Sequence, residues 1–337
     1  MSDHLNSPDP KPKYRPKASR LMDQVREVLR YHHYGYKTEQ AYTRWILRFI
    51  KYNGTRHPGE MGKSEIEAFL SHLAVDRNVA ASTQSQALNA IVFLYKQVLD
   101  LPVSEQLAPV RSKKPVRLPV VLSQQEIIAL LNQIENQHSL MARMMYGGGL
   151  RLMEVVRLRV QDIDFENRYL AIRASKGSKD RSTLLPPSLV KPLQDHLEQV
   201  RKTFEVDLKN GDANVYLPNA LAAKYPNASK SWVWQYVFPS RKLSTDPRSG
   251  QTRRHHINES GLQKSIRRAT EKANIHKKVS SHTLRHSFAT HLLETGTNIR
   301  VVQKLLGHTD VKTTEIYTHV LQSNLAAVTS PLENLNL

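Results

Sequence analysis

Ser280-Ser281-His282-Thr283-Leu284-Arg285-His286 sets an imidazole and a guanidinium three residues apart. On a helix that spacing is about one turn, so His282 and Arg285 reach one point in space. Leu306-Gly307-His308 follows, and then Tyr317 within Thr314-Glu315-Ile316-Tyr317-Thr318-His319. Upstream, Gly148-Gly149-Leu150-Arg151-Leu152-Met153-Glu154 adds a second arginine behind a glycine pair that reads as a flexible joint. His286, His291 and His319 read as structural or surface residues. A zinc site on His282, His286 and His291 lacks both a cysteine and a carboxylate at ligand spacing, so no metal and no cofactor is expected.

The chemistry sits in a strongly basic chain. In 337 residues, Lys plus Arg number 49 against 30 Asp plus Glu, a formal charge of +19 that calls for a polyanionic partner, most simply nucleic acid. With no cysteine, disulfides, thiolate metal sites and a cysteine nucleophile are excluded. No apolar run reaches the ~18 residues of a membrane span, and the Pro-rich N-terminus does not read as a signal peptide. The expected setting is cytoplasmic and nucleoid-associated, with no membrane partner.

Residues 1–18 read as a basic tail without fixed structure. Over 19–100 the pattern is helical: Tyr42, Trp45, Ile46, Phe49 and Ile50 make one apolar stripe with Thr38 as the expected N-cap. Ser64 and Glu67 have capping-box spacing ahead of Phe69, Leu70 and Leu73, and a fourth helix carries Leu88, Ile91, Tyr95 and Val98. Residues 101–119, with four prolines and with Arg111, Lys113, Lys114 and Arg117, read as an extended basic linker. Such a linker suits either a hinge or a strap along a phosphate backbone. A second domain, 120–337, opens on a capping box of Ser123 and Glu126. Ile163–Phe165, Tyr169–Ile172 and Thr183–Leu185 read as three short strands, the last two joined by a polar hairpin loop holding Lys176. Helices resume over 187–203 and from 258 onward. The fold class is α+β, mainly helical: a four-helix domain followed by a larger domain with a small three-stranded sheet.

In order and approximate spacing these residues resemble the tyrosine recombinases. Arg151 and Glu154 match the arginine box, Lys176 the hairpin lysine, His282 and Arg285 the His-x-x-Arg motif, and His308 and Tyr317 the Gly-His and tyrosine. The match runs over 123–325, and the 19–100 helices resemble the family's DNA-clamping domain. Leu152-Met153 departs from the smaller polar residue many members carry there, which bears on packing behind Arg151. The resemblance implies a 3′-phosphotyrosyl DNA intermediate with Tyr317 as nucleophile. Arg151 and Arg285 would neutralise the transition state, His282 would accept the phenolic proton and His308 would bond a non-bridging oxygen. Lys176 would protonate the leaving 5′-oxygen, and Glu154 would support Arg151. This is sound physics: paired guanidiniums stabilise a pentacoordinate phosphorane without a metal, and adjacent cations are expected to lower the phenol pKa.

Residues 213–256 form an insert with Lys224-Tyr225-Pro226, Trp232-Val233-Trp234 and Asp246-Pro247-Arg248-Ser249-Gly250, then Arg253-Arg254-His255-His256. It is similar to that of integron integrases. The resemblance implies gene-cassette recombination on a folded single-stranded hairpin site with flipped-out bases, and on a duplex attachment site. It places flipped-base contacts on Pro247, His255 and His256, flanked by Arg253 and Arg254 and supported by a 219–236 helix. Trp232, Trp234 and Tyr236 read as a small core beneath. The tail, 320–337, would either pack in cis or link four protomers on two DNA sites. The rival readings are a recombinase acting on duplex sites, a relaxing topoisomerase, and a DNA-binding protein without catalysis.

Overall fold

The computed structural model describes residues 14–101, 119–173, 180–217 and 221–318. Lys113, Lys114, Lys176, His319, the first thirteen residues and the tail 320–337 lie outside them. The chain divides after Val116 into two compact units.

The first unit holds α1 (Leu21–Tyr31), α2 (Tyr36–Tyr52), α3 (Lys63–Val75) and α4 (Ala81–Phe93), the last running into a π-helical turn at Leu94–Leu99. The apolar stripe of α2 forms the centre: Trp45, Ile46 and Phe49 are buried against Val25, Leu29, Phe69, Leu73 and Ile91. Two helix starts differ from expectation. Helix α2 begins at Tyr36 behind Gly35, so Thr38 lies inside its first turn. Helix α3 begins behind Gly62, whose amide donates to Glu65 at 2.8 Å, while Ser64 and Glu67 sit exposed within the helix. A side-chain carboxylate satisfying an orphan amide serves as well as a hydroxyl N-cap.

The second unit opens with α5 (Gln124–Asn132), where Ser123 and Glu126 do form the reciprocal capping box. Helix α6 (Asn136–Gly148) buries Leu140, Met141, Met144 and Met145, and the short α7 (Leu152–Val156) follows. The sheet is antiparallel in the order β1 (Ile163–Asp164), β2 (Tyr169–Ile172), β3 (Arg181–Leu184), with Leu170 opposite Thr183. After it come α8 (Pro187–Lys209), α9 (Leu221–Lys224), the hairpin of β4 (Ser244–Thr245) and β5 (Thr252–Arg253), then α10 (Glu259–Lys272), α11 (Ser281–Glu294), α12 (Ile299–Leu306) and α13 (Lys312–Glu315). Helix α11 is the buried axis of the unit, with Leu284, Arg285, Ser287, Phe288, Ala289 and Thr290 enclosed along it.

No 219–236 helix forms. Helix α9 stops at Lys224, two short 3-10 turns at Ala228–Lys230 and Trp232–Trp234 follow, and 218–220 lie outside the described residues. Pro226 accounts for the break, since the residue before a proline is pushed out of the helical region. Tyr236 is buried with Val215 and Leu217 in a small core that Trp234 joins from its edge, while Trp232 packs on Phe204 instead.

Candidate active site

Two left-handed glycines bring the polar residues together. Gly149 ends α6 at φ +62°, and a Cβ there would lie 2.4 Å from the Phe288 ring. Gly307 ends α12 at φ +64°, where a Cβ would lie 2.4 Å from Arg181 Cδ. Only glycine takes both the conformation and the close approach without cost. The Gly148-Gly149 pair is therefore a fixed helix end and not a flexible joint. The Gly149 carbonyl accepts from Arg285 Nη1 at 2.5 Å, and the Leu306 carbonyl accepts from Arg285 Nη2 at 2.5 Å. Arg285, 4% exposed, thus sits between the ends of two helices.

Glu154 is the hub. Its Oε2 accepts from the Arg151 amide at 2.8 Å and from Arg181 Nη2 at 2.8 Å, and its Oε1 accepts from Arg151 Nη1 at 2.7 Å. Arg285 Nη1 stands 3.9 Å from the same carboxylate. Burial works to raise the Glu154 carboxyl, but the Arg181 charge and the hydrogen bonds outweigh it and hold it below the ordinary range. Three guanidiniums therefore share one carboxylate, an electropositive excess of the kind an incoming anion relieves. Burial, then the charge of Arg151, depress Arg285 to about 9.

His308 and Tyr317 close the cluster from the α12–α13 segment. Arg285 Nη2 donates to His308 Nε2 at 3.3 Å, which leaves Nδ1–H to donate to Thr314 Oγ1 at 2.9 Å. Burial and the surrounding arginines push His308 down to about 4, so the ring is neutral. Tyr317 is 1% exposed, its ring stacked 6.4 Å from His308. Its phenol titrates above its ordinary value: burial exceeds the opposing pull of Arg285 and Arg151, against the expectation that cations would lower it.

The partner of the Tyr317 hydroxyl is His286 Nδ1, at 2.9 Å, and not His282. His282 is exposed one turn earlier on α11, its ring 6.4 Å from that of His286. The sequence signal that sets His286 on the same side of α11 as His282 is their spacing, about one helical turn. Arg181 is a further member of the cluster that no sequence motif points to. It spans from Glu154 to the Leu305 carbonyl, 2.9 Å from its Nε, and its buried Nη1 has no partner among the described residues. His291 takes a structural place, paired with Tyr146 Oη at 2.9 Å.

The insert residues lie in two groups. Pro247 is exposed at the tip of the β4–β5 hairpin, whose turn is held by Asp246 accepting from the Arg248 amide at 2.9 Å. Arg253 packs along it, 3.4 Å from Asp246. Arg254 is no free DNA contact: Asp207 binds it in a two-point pair and the Ser240 and Arg241 carbonyls accept from its Nη1, at 2.8 and 3.1 Å, so its donors are spent internally. The rings of His255 and His256 lie 4.0 Å apart, both against Tyr236. Only His255 is exposed; His256 is buried, donates from Nδ1 to the Ile257 carbonyl at 2.7 Å, and is driven by burial to about 4. Among the described residues no cluster of His, Asp and Glu could hold a metal ion, and no helix is long and apolar enough to cross a membrane.

Residues 120–324 match the profile of the phage integrase family, and residues 21–105 match that of the phage integrase N-terminal SAM-like domain. Proteins named integrase/recombinase from Escherichia coli and from Pseudomonas aeruginosa are each 48% identical over 321 residues, covering 95% of both chains. The crystal structure of XerH recombinase bound to its palindromic difH substrate shares the fold, with a TM-score of 0.58 at 20% identity, over 94% of this chain and 86% of that one. The chain belongs to the phage integrase family and is a tyrosine recombinase.

Proposed function

We propose that this recombinase is an integron integrase, moving gene cassettes by cutting and rejoining a folded single-stranded site in the bacterial cytoplasm. In its reaction Tyr317 attacks the scissile phosphate to give a 3′-phosphotyrosyl ester and a free 5′-hydroxyl. Arg151 and Arg285 clamp the non-bridging oxygens, His308 and His282 add hydrogen bonds, and Lys176 protonates the leaving oxygen. Glu154 and Arg181 hold the clamp in place. The ester conserves the bond energy, so strand exchange needs no nucleotide cofactor. Four protomers on two sites supply the cuts.

The observation that carries the finer reading is the insert. The insert carries an exposed proline at the tip of its hairpin and, two residues past the hairpin's second strand, an exposed histidine backed by Tyr236. Such faces stack on unpaired bases with little sequence preference, at about 1–3 kcal/mol per base. The test compares covalent trapping on two nicked substrates, a folded strand with two extrahelical bases and its fully paired counterpart. Integron specificity predicts an adduct chiefly on the folded strand, and equal trapping on both would assign the enzyme to duplex sites.

A further inference from the structure

We infer that His286 is the catalytic group that takes the phenolic proton from Tyr317 as the nucleophile attacks. This rests on Tyr317 being the nucleophile, as proposed above, and goes beyond it by naming where the proton goes. A buried phenol cannot attack phosphorus while protonated at neutral pH, and the acceptor must lie within hydrogen-bond reach of the oxygen. Tyr317 Oη has His286 Nδ1 at 2.9 Å. Among the described residues no other imidazole of the site is hydrogen-bonded to that oxygen. His308 has Nε2 on Arg285 and Nδ1 on Thr314, and the His282 ring lies a turn away from His286.

The protons balance with the roles proposed above. The O–H bond of Tyr317 breaks with its proton passing to His286 Nδ1, the Oη–P bond forms, and the P–O5′ bond breaks with the leaving oxygen protonated by Lys176. Religation runs the same transfers backward, His286 returning the proton to the departing phenol. The charged and titratable groups around His286 are His282 and Arg285 on its own helix and His308 and Tyr317 from the segment packed against it. In the free protein, burial foremost and then His282 and Arg285 hold the His286 imidazole down to about 4, a weak base. A phosphodiester between Arg151 and Arg285 brings negative charge that offsets the Arg285 contribution and so favours the imidazolium.

The test crosses His286 with the acidity of the phenol, using single-turnover adduct formation on a nicked substrate that the wild-type protein cleaves. His286→Ala should slow adduct formation about 100-fold with binding by gel shift unchanged. His286→Asn, which keeps a hydrogen-bonding group but no base, should remain as slow. With difluorotyrosine installed at position 317, a more acidic phenol, the penalty of either substitution should shrink to below about tenfold, because less proton transfer is asked of the base. Equal penalties with both phenols would reduce His286 to a packing residue, and recovery with His286→Asn would reduce it to a positioning one. Unchanged or faster cleavage in His286→Ala would make the contact a brake on the nucleophile. Absence of any adduct in the wild-type protein would instead count against the nucleophile assignment itself.

Discussion

Arg285 and Arg159 are both buried arginines whose guanidiniums bridge two backbone carbonyls, yet they do opposite things. Arg159 donates to the carbonyls of Trp234 and Tyr216 and lies 4.4 Å over the Tyr236 ring, binding the insert to the body. Arg285 sits beside two more guanidiniums that, among the described residues, share the one carboxylate of Glu154. Two insert arginines each have an acid of their own, Arg254 with Asp207 and Arg253 with Asp246. In the cluster around Glu154 positive charge is left in excess. The difference teaches that burial of an arginine does not identify its role; the charge balance around it does, because an uncompensated cluster is stable only while its carbonyls and its one carboxylate hold it.

The largest break in that contrast is Glu154→Gln. With the shared carboxylate neutral, three guanidiniums face one another unpaired, and stability should fall by about 3–5 kcal/mol, read as a lowered Tm. An unchanged Tm would mean the arginines separate easily and the cluster is not built on Glu154. Next is Arg151→Lys, which keeps one charge but not the planar fork. Cleavage should drop roughly 100- to 1,000-fold with DNA binding retained, and preserved cleavage would remove Arg151 from the phosphate clamp.

A smaller effect is expected in the insert. His255→Ala should weaken folded-strand binding by about 1–3 kcal/mol while sparing duplex binding, and equal losses on both would make His255 a backbone contact. Smallest is the response to acid. His256 has its pKa lowered from 6.5 to about 4, so the stability tied to its neutral form is whole above pH 6.5 and is lost as pH falls from there toward 4. A thermal scan of His256→Phe should show a shallower Tm decline over that window than wild type. The decline should not vanish, because His286 and His308, also near 4, respond in the same direction. Parallel declines would show that His256 does not sense the acid.

Much of this was legible in the sequence because its signals are local. The α2 stripe, the Ser123–Glu126 box and the three strands each depend on residues within a few positions of one another, and side-chain periodicity reports them directly. Failures came where a glycine start with a back-reaching carboxylate replaced a hydroxyl cap, as at Gly62 and Glu65. Trp232-Val233-Trp234 and Pro226 read as part of one helix until the proline's restriction on its neighbour is weighed. The roles of Arg181 and Arg254 have no such local signal, because their partners, Leu305 and Asp207, are distant in the chain and become neighbours only through the packing of the second unit.

The central claim is that Tyr317, inside the charge-excess cluster, forms the covalent bond to DNA. It is tested most directly by digesting the trapped protein–DNA adduct and locating the modified residue by mass spectrometry. The account predicts a nucleotide linked through its 3′-phosphate to the peptide bearing Tyr317, and none in Tyr317→Phe. Attachment at another residue, or an adduct that survives Tyr317→Phe, would contradict it.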